Sequence, residues 1–563
     1  MRHLIIGGVA GGASVAARLR RLDERAEITM LERGSDVSFS NCALPYFLGG
    51  EVAQSDSLRL VSPETFWQRY RIRALVRHEA LRIDREQKTV LVRDLSTGQE
   101  VNFAYDRLYL SPGASPVMPA SIPGIGLPHV FSVRNVVDVE RIDRYLKDRG
   151  VQDVAIIGGG FIGLEVMENL VKAGYRVSVA DMAPQVMLPF DEDMAQLLHR
   201  EILTHGVTLA LGDGLQSIEE DGVTLSSGRR LPAQAVVVAI GVKPETGLAR
   251  EAGLELGKAG GILVDRQMRT SDPSIFAMGD AVEVRHRLTN KQSRLALAGP
   301  ALRQARVAAN TVQGVADVVP GVLGASVLRV FSLNAAAVGL TERQCQAEGI
   351  AYQVSFVIPM DRVGIMPGAE PVFFKLLYEQ SGGAVLGAQA ISRGAADKRI
   401  DVIATLLRYQ GTIMDLRDLE LTYAPLFSTA RDVVNLAGMN ACDVVDGLCP
   451  QVMFTKVRSL HGQGAYFLDV REEDEFAWGH IKGAVNIPLS ALRERLDEIP
   501  RDRAVYVHCR TGQRSYNAVR VLLQEGFSQV YNVAGSFLAL SWYEYFQDQV
   551  TGREPIVTAY NFD

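Results

Sequence analysis

Five cysteines stand at positions 42, 345, 442, 449 and 509 of the 563-residue chain, with no CxxC spacing among them. An odd, scattered set neither frames disulfides nor spaces zinc ligands, so no metal site is expected and a reducing, cytoplasmic compartment is. Two of the five lie in segments suited to thiol chemistry. Cys42 sits in FSNCALPY (39–46), where Ser38 and Asn41 can supply hydrogen bonds and Pro45 shapes the following turn. A helix N-terminus or positive dipole beside it would lower the thiol pKa from about 8.5 and so provide a nucleophilic thiolate. Cys509 ends the apolar strand VYVH and opens CRTGQRS, which runs into an amphipathic helix. Gly512 permits a tight curl of inward-facing amides, and Arg510 and Arg514 add positive charge, making a cradle for a thiolate or an anionic persulfide. The arginine follows the cysteine by five positions, one fewer than in the CxxxxxR loop of phosphatases, so phosphatase chemistry fits poorly.

The elements that must position these thiols are nucleotide-binding turns. HLII (3–6) is a short apolar strand, and GGVAGG follows with Gly7, Gly8, Gly11 and Gly12. A helix is expected from Ala13, and a second apolar run ends in Glu32. Glycines admit a pyrophosphate, the helix N-terminus faces its charge, and the acid accepts a hydrogen bond from a ribose 2′-OH. Val9 stands where GxGxxG has its central glycine. The unit recurs complete at DVAIIGGGFIGLEVMENLVKAGYRVSVAD (153–181), with Gly158, Gly160, Gly163 and the terminal Asp181. Asp181 suits a free 2′-OH, and MAPQ (182–185) offers no arginine for a 2′-phosphate, so NADH is expected over NADPH. TSDPSIFAMGDAVE (270–283) adds Gly279 and Asp280, an acid able to bond a sugar-like hydroxyl.

The length predicts roughly three or four domains, and 47% hydrophobic with 22% charged residues is ordinary globular composition. A net charge of −6 gives no reason to expect nucleic acid or an anionic membrane. No apolar stretch of about 18 residues predicts a membrane span, and MRHLIIGG runs into a strand without signal-peptide character.

Together the motifs resemble the flavoprotein disulfide reductases with two dinucleotide-binding domains, over residues 1–440. The resemblance implies FAD on the first turn and on Gly279–Asp280, and NADH on the second turn. It also implies Phe161 and Glu165 near the nicotinamide–flavin contact, and LSPGA (110–114) and VVVAIGVKPET (236–246) as crossovers between the domains. Phe47 stands where dithiol members carry a second cysteine, so Cys42 resembles the thiol of the single-cysteine branch of NADH peroxidase, NADH oxidase and coenzyme A disulfide reductase. Ala10 replaces the histidine of the peroxide- and oxygen-reducing members, which disfavours peroxide chemistry. The same resemblance places Ser14, Arg18, Arg21 and Arg431 against coenzyme A, and Tyr423 near the active cysteine of the other subunit. Tyr70, Leu302, Ile365, Met366 and Phe427 depart from the branch's polar positions and leave a more apolar pocket, which puts tight coenzyme A binding in question.

Beyond residue 440, LDVR, GHIKGAVNIP and the Cys509 loop resemble a rhodanese, a sulfurtransferase domain, with Asp469, Arg471 and His480 in its framework. Ser536 and Phe537 depart from the usual glycine and aromatic after YNVAG. The expected fold is α/β: two Rossmann-like domains, an α+β dimerisation domain and a C-terminal α/β rhodanese. The expected bounds are 1–112 with 245–324 for FAD, 113–244 for NADH, 325–440 for a homodimer-forming domain, 441–453 as linker, 454–550 as rhodanese and 551–563 as tail. The function this implies is NADH-dependent reduction of a small persulfide, polysulfide or coenzyme A disulfide through Cys42, with Cys509 handling sulfane sulfur. An NADH oxidase, and a sulfur-carrier protein regulated by its flavoprotein part, are the alternatives.

Overall fold

The computed structural model describes residues 1–562 as two compact units. The first comprises Met1–Pro184 and Ala210–Val322, the second Gln185–Leu209 and the chain from Leu323 onward.

In the first unit, β-branched and leucine-rich runs build a parallel sheet in the order Ile275–Ala277, Arg107–Leu110, Arg2–Ile6, Glu27–Leu31, Ile72–Leu75. Both faces of such a sheet are covered, so its strands are apolar along most of their length rather than alternating. Ile5, Met30, Leu108 and Phe276 are buried with Val15 and Leu19 of the helix Ala10–Leu22. That helix begins three residues before the expected Ala13. Gly11 and Gly12 therefore lie in its first turn, because Val9 is the residue that precedes the helix. A second parallel sheet holds Arg176–Asp181, Asp153–Ile157, Ala235–Val238 and Val130–Phe131 as neighbours. Ala114–Pro116 pairs antiparallel with Val242–Pro244, so the two crossover segments run side by side.

The second unit carries an antiparallel sheet ordered Ser326–Val330, Leu333–Gly339, Val385–Ser392, Phe373–Glu379, Tyr352–Val357. The amphipathic helix Ala396–Arg408 buries Ile400, Ile403 and Leu407. Lys375, fully buried, gathers Asp193 at 2.7 Å, Asp191 at 3.2 Å and Glu342 around its ammonium. Breaking a buried pair leaves uncompensated charge. Lys375→Met is accordingly expected to cost about 3–5 kcal/mol in urea unfolding of the full chain.

A further parallel sheet runs Gln451–Met453, Val530–Ala534, Val505–His508, Tyr466–Asp469, Val485–Asn486. Its first strand and the helix Val433–Val445 occupy most of the segment expected as a linker at 441–453. Helix residues Val433, Ala437, Ala441 and Cys442 are buried. Small residues gave that face too little contrast to register as periodic, and a three-residue strand is defined only by its distant partner. The expected tail at 551–563 is likewise structured at its start and beyond. The helix Ser536–Thr551 passes residue 550, and the chain then lies along 480–482 through Lys482 N to Ile556 O (2.9 Å) and Thr558 N to His480 O (2.9 Å). Among the described residues, no helix is long and apolar enough to cross a membrane.

Candidate active site

The two glycine turns are built alike. A Cβ on Gly12 would fall 1.8 Å from Gly7 O, and one on Gly163 would fall 1.9 Å from Gly158 O. Each helix can approach its own strand end only because glycine stands there. Val9 and Gly160 both precede their helices with negative φ (−103° and −84°), so the backbone itself accepts valine at the first turn. Glu32 accepts from Gly8 N at 2.8 Å and Gly34 N at 2.7 Å. Asp181 accepts from Gly159 N at 2.7 Å and Ala183 N at 2.8 Å. Each carboxylate is thus fixed at the lip of its turn with lone pairs left for ribose hydroxyls. A Cβ on Gly160 would meet no atom within 4 Å, so the central position opens onto free space. Gly279 N donates to Gln304 (2.8 Å), holding the turn that presents Asp280. These cradles and acids fit FAD at the first turn and NADH at the second.

Cys42 lies in the single turn Asn41–Ala43 just ahead of the helix Leu44–Leu48. Its loop is clamped to the first glycine turn by Ser38 N to Gly8 O (2.9 Å) and to residue 60 by Leu60 N to Ser38 O (2.9 Å). Ser38 adopts a left-handed φ of 48°, which bends the chain toward the thiol. The helix Leu44–Leu48 packs on Phe161–Lys172, and a Cβ on Gly49 would meet the Asn169 side chain at 2.2 Å. That contact brings Cys42 under the influence of Glu165. Partial burial, then the Glu165 and Asp280 carboxylates, raise the Cys42 thiol above its ordinary pKa. This reverses the expected lowering. The five-residue helix after the thiol carries little dipole, while two acids face it. Ser38 and Asn41 place no side-chain hydrogen bond on the sulfur among the described residues. Burial, with Glu168 nearby, raises Glu165 itself to about 7.

Deleting the Glu165 charge should therefore make Cys42 more acidic. In Glu165→Gln, iodoacetamide is expected to alkylate Cys42 about threefold faster at pH 8. The difference should fade below pH 6, where wild-type Glu165 is mostly protonated; peptide mapping of the labelled full chain checks both.

The Cys509 sulfur accepts from Gly512 N at 3.2 Å and from Ser515 Oγ at 3.5 Å, with Ser536 Oγ 3.9 Å away. Ser536 Oγ also accepts from Cys509 N (3.2 Å). These donors all converge on one buried sulfur, as a thiolate or persulfide cradle requires. Arg514 is less available than expected, because both of its terminal nitrogens bind Glu475, at 2.6 and 2.7 Å. Arg510 remains exposed. Arg471 is buried on Asp469 (2.6 Å) and Gly479 O (2.7 Å), and His480 stacks on Phe476 at 3.8 Å. Sequence reasoning misses Ser515 as a donor to the sulfur, and marks Ser536 only as a departure with no role at the loop. The signal for Ser536 was its departure from glycine: it keeps glycine's left-handed φ, at 50°, and adds a hydroxyl beside the sulfur.

The chain matches the pyridine nucleotide-disulphide oxidoreductase family over residues 1–305, that family's dimerisation domain over 326–433, and the rhodanese-like domain over 454–541. The chain belongs to the pyridine nucleotide-disulphide oxidoreductases. Coenzyme A disulfide reductase of Staphylococcus haemolyticus is 30% identical over 442 residues, covering 78% of this chain and 99% of the relative. The crystal structure of reduced Bacillus anthracis CoADR-RHD is 42% identical, covers 96% of this chain and 98% of its own, and superposes with a TM-score of 0.93. An NAD-dependent persulfide reductase from A. fulgidus is 35% identical, with coverage of 96% and 100% and a TM-score of 0.91.

Membership in an oxidoreductase family gives the remaining expected residues their context. Ala10 starts its helix with an exposed methyl and offers no proton donor. Ser14 is half-buried on the same helix. Arg18 is drawn onto Asn310 Oδ1 (2.9 Å), and Arg21 onto Ala17 O (3.0 Å). In the second unit Tyr423, Phe427, Ile365 and Arg431 are exposed on the protomer.

Proposed function

We propose that the protein is an FAD-containing, NADH-dependent reductase of persulfide and disulfide sulfur with a fused sulfurtransferase domain. The observation that carries this reading is the lone Cys42 thiol on a loop hydrogen-bonded to the first dinucleotide turn, within electrostatic reach of Glu165. In this reading Glu32, Gly279 and Asp280 hold FAD, and Gly158, Gly160, Gly163 and Asp181 hold NADH. When bound, the two cofactors supply the two-electron reduction that a sulfur–sulfur bond on Cys42 needs.

The residues do the rest. Cys42 as thiolate attacks a disulfide R–S–S–R, forming Cys42–S–S–R and releasing R–S⁻. With a persulfide, attack on the outer sulfur leaves Cys42–S–S⁻ and the thiolate R–S⁻. Glu165, titrating near neutrality, can hold the proton that a released thiolate takes up. Cys509 receives sulfane sulfur in its own cradle. The matched dimerisation domain and the exposed Tyr423, Phe427 and Arg431 support a homodimer whose partner completes the substrate site. The small apolar departures at Ile365, Met366 and Leu302 favour acceptors that need little of the coenzyme A nucleotide. The bounds given above for the FAD, NADH, dimerisation and rhodanese parts, and a cytoplasmic location, belong to the same proposal.

NADH consumption by the flavin-loaded protein under nitrogen tests the reading. Polysulfide, glutathione persulfide, coenzyme A persulfide or coenzyme A disulfide is expected to raise the rate at least about tenfold over the rate in air without sulfur. Equal rates in air, independent of every sulfur acceptor, would instead establish an NADH oxidase.

A further inference from the structure

A cavity of about 420 Å³ adjoins the Cys509 loop. Arg510, Phe537 and Leu538 form its inner wall, and the loop is tied there by Phe537 N to Cys509 O (3.1 Å) and Leu538 N to Arg510 O (2.9 Å). Trp478 stands on the wall, 66% exposed. Arg471 and Glu475 also line it, and the remaining wall is Tyr560, Asn561 and Phe562, which lie outside the matched rhodanese-like region at 454–541.

This end is anchored. The Arg200 guanidinium lies 3.7 Å from the Phe562 ring centre and 4.3 Å from that of Trp542. Tyr545 meets Phe562 edge-on at 5.3 Å, and the Tyr560 hydroxyl donates to Asp548. The charges of the cavity also resolve simply. Arg471 is neutralised by Asp469 and Glu475 by Arg514, while the Arg510 guanidinium has no ion pair among the described residues. The cavity therefore offers one cation beside the sulfur loop and a wall of aromatic faces. A volume of this size suits an organic ligand, and an inorganic anion such as thiosulfate would leave the aromatic wall untouched.

We propose that the C-terminal aromatic segment makes this cavity a specificity site for organic sulfane donors, a monoanionic persulfide or thiosulfonate whose carbon group is planar or apolar. The inference rests on Cys509 being a sulfur acceptor. Arg510 holds the anionic end, and Phe562, Tyr560 and Trp478 hold the carbon group by ring contact. The Cys509 thiolate attacks the terminal sulfur, forming Cys509–S–S⁻, while the old bond to that sulfur breaks and its electron pair leaves with the thiolate or sulfinate.

The test uses the full chain with three donors that share one sulfane group: thiosulfate, methanethiosulfonate and benzenethiosulfonate. Cyanide takes the sulfur from Cys509–S–S⁻ as thiocyanate, which is measured with Cys509→Ser as the blank. Benzenethiosulfonate is expected to exceed methanethiosulfonate at least about tenfold in kcat/KM. Phe562→Ala and Trp478→Ala should each cut that preference about fivefold or more and leave thiosulfate turnover within about twofold. Trp478 is exposed, so its variant decides the matter should Phe562→Ala melt early. A wild-type ratio near one, or a ratio unmoved in the folded variants, overturns the specificity site alone. Absence of thiocyanate with all three donors overturns the sulfurtransferase reading and this inference with it.

Discussion

Cys42→Ser is expected to lower NADH-linked reduction of polysulfide or coenzyme A persulfide by about a thousandfold or more, because the hydroxyl cannot form or release the sulfur–sulfur bond. Reduction of the bound flavin by NADH should survive, since Glu32, Asp181 and both glycine turns are untouched. The pair of measurements separates the thiol's role from the electron supply: anaerobic bleaching of flavin absorbance should be normal while sulfide formation is lost. Full turnover in the serine variant would remove Cys42 from the reaction. Cys509→Ser makes a useful contrast. It should abolish sulfur transfer at the rhodanese loop, and it should slow NADH-linked reduction only for donors whose sulfur passes through that loop.

The second large effect concerns the nicotinamide cofactor. Asp181 is fixed by Gly159 N and Ala183 N with both oxygens at the turn. A 2′-phosphate would bring a dianion against that carboxylate, and like charges brought together cost several kcal/mol. The wild-type kcat/KM for NADH is therefore expected to exceed that for NADPH at least about a hundredfold. Asp181→Asn keeps one acceptor oxygen but removes the charge. It should narrow the ratio at least about tenfold, mostly by improving NADPH, as steady-state kinetics with each cofactor will report. An unchanged ratio would place the 2′ discrimination elsewhere.

Both expectations rest on residues whose roles were legible in order along the chain. Gly7 to Gly12 with Glu32, and Gly158 to Gly163 with Asp181, announce themselves because strand, turn, helix and acid are local and their spacing is set by backbone geometry. The Cys509 loop is legible for the same reason: Gly512 and Ser515 reach the sulfur from within the same seven residues. Ser536 was not, because it arrives 27 positions later through a neighbouring strand and the turn after it. Arg514 looked like free positive charge until the fold set Glu475 against it.

The electrostatics of Cys42 mark the division most clearly. Sequence alone determined that one unpaired thiol follows a dinucleotide turn and that a second lies in a glycine-bearing loop, since covalent order and local turn chemistry need no distant partner. Only the tertiary structure decided that Cys42 is partly buried, with Glu165 and Asp280, more than a hundred residues away, adding to the burial that pushes its thiol up. It alone also turned an expected linker into helix and strand, and an expected tail into the wall of a cavity. The physical reason is common to these cases. A charge acts through space and a short strand exists only against its neighbour, so neither is written in the residues that bear it.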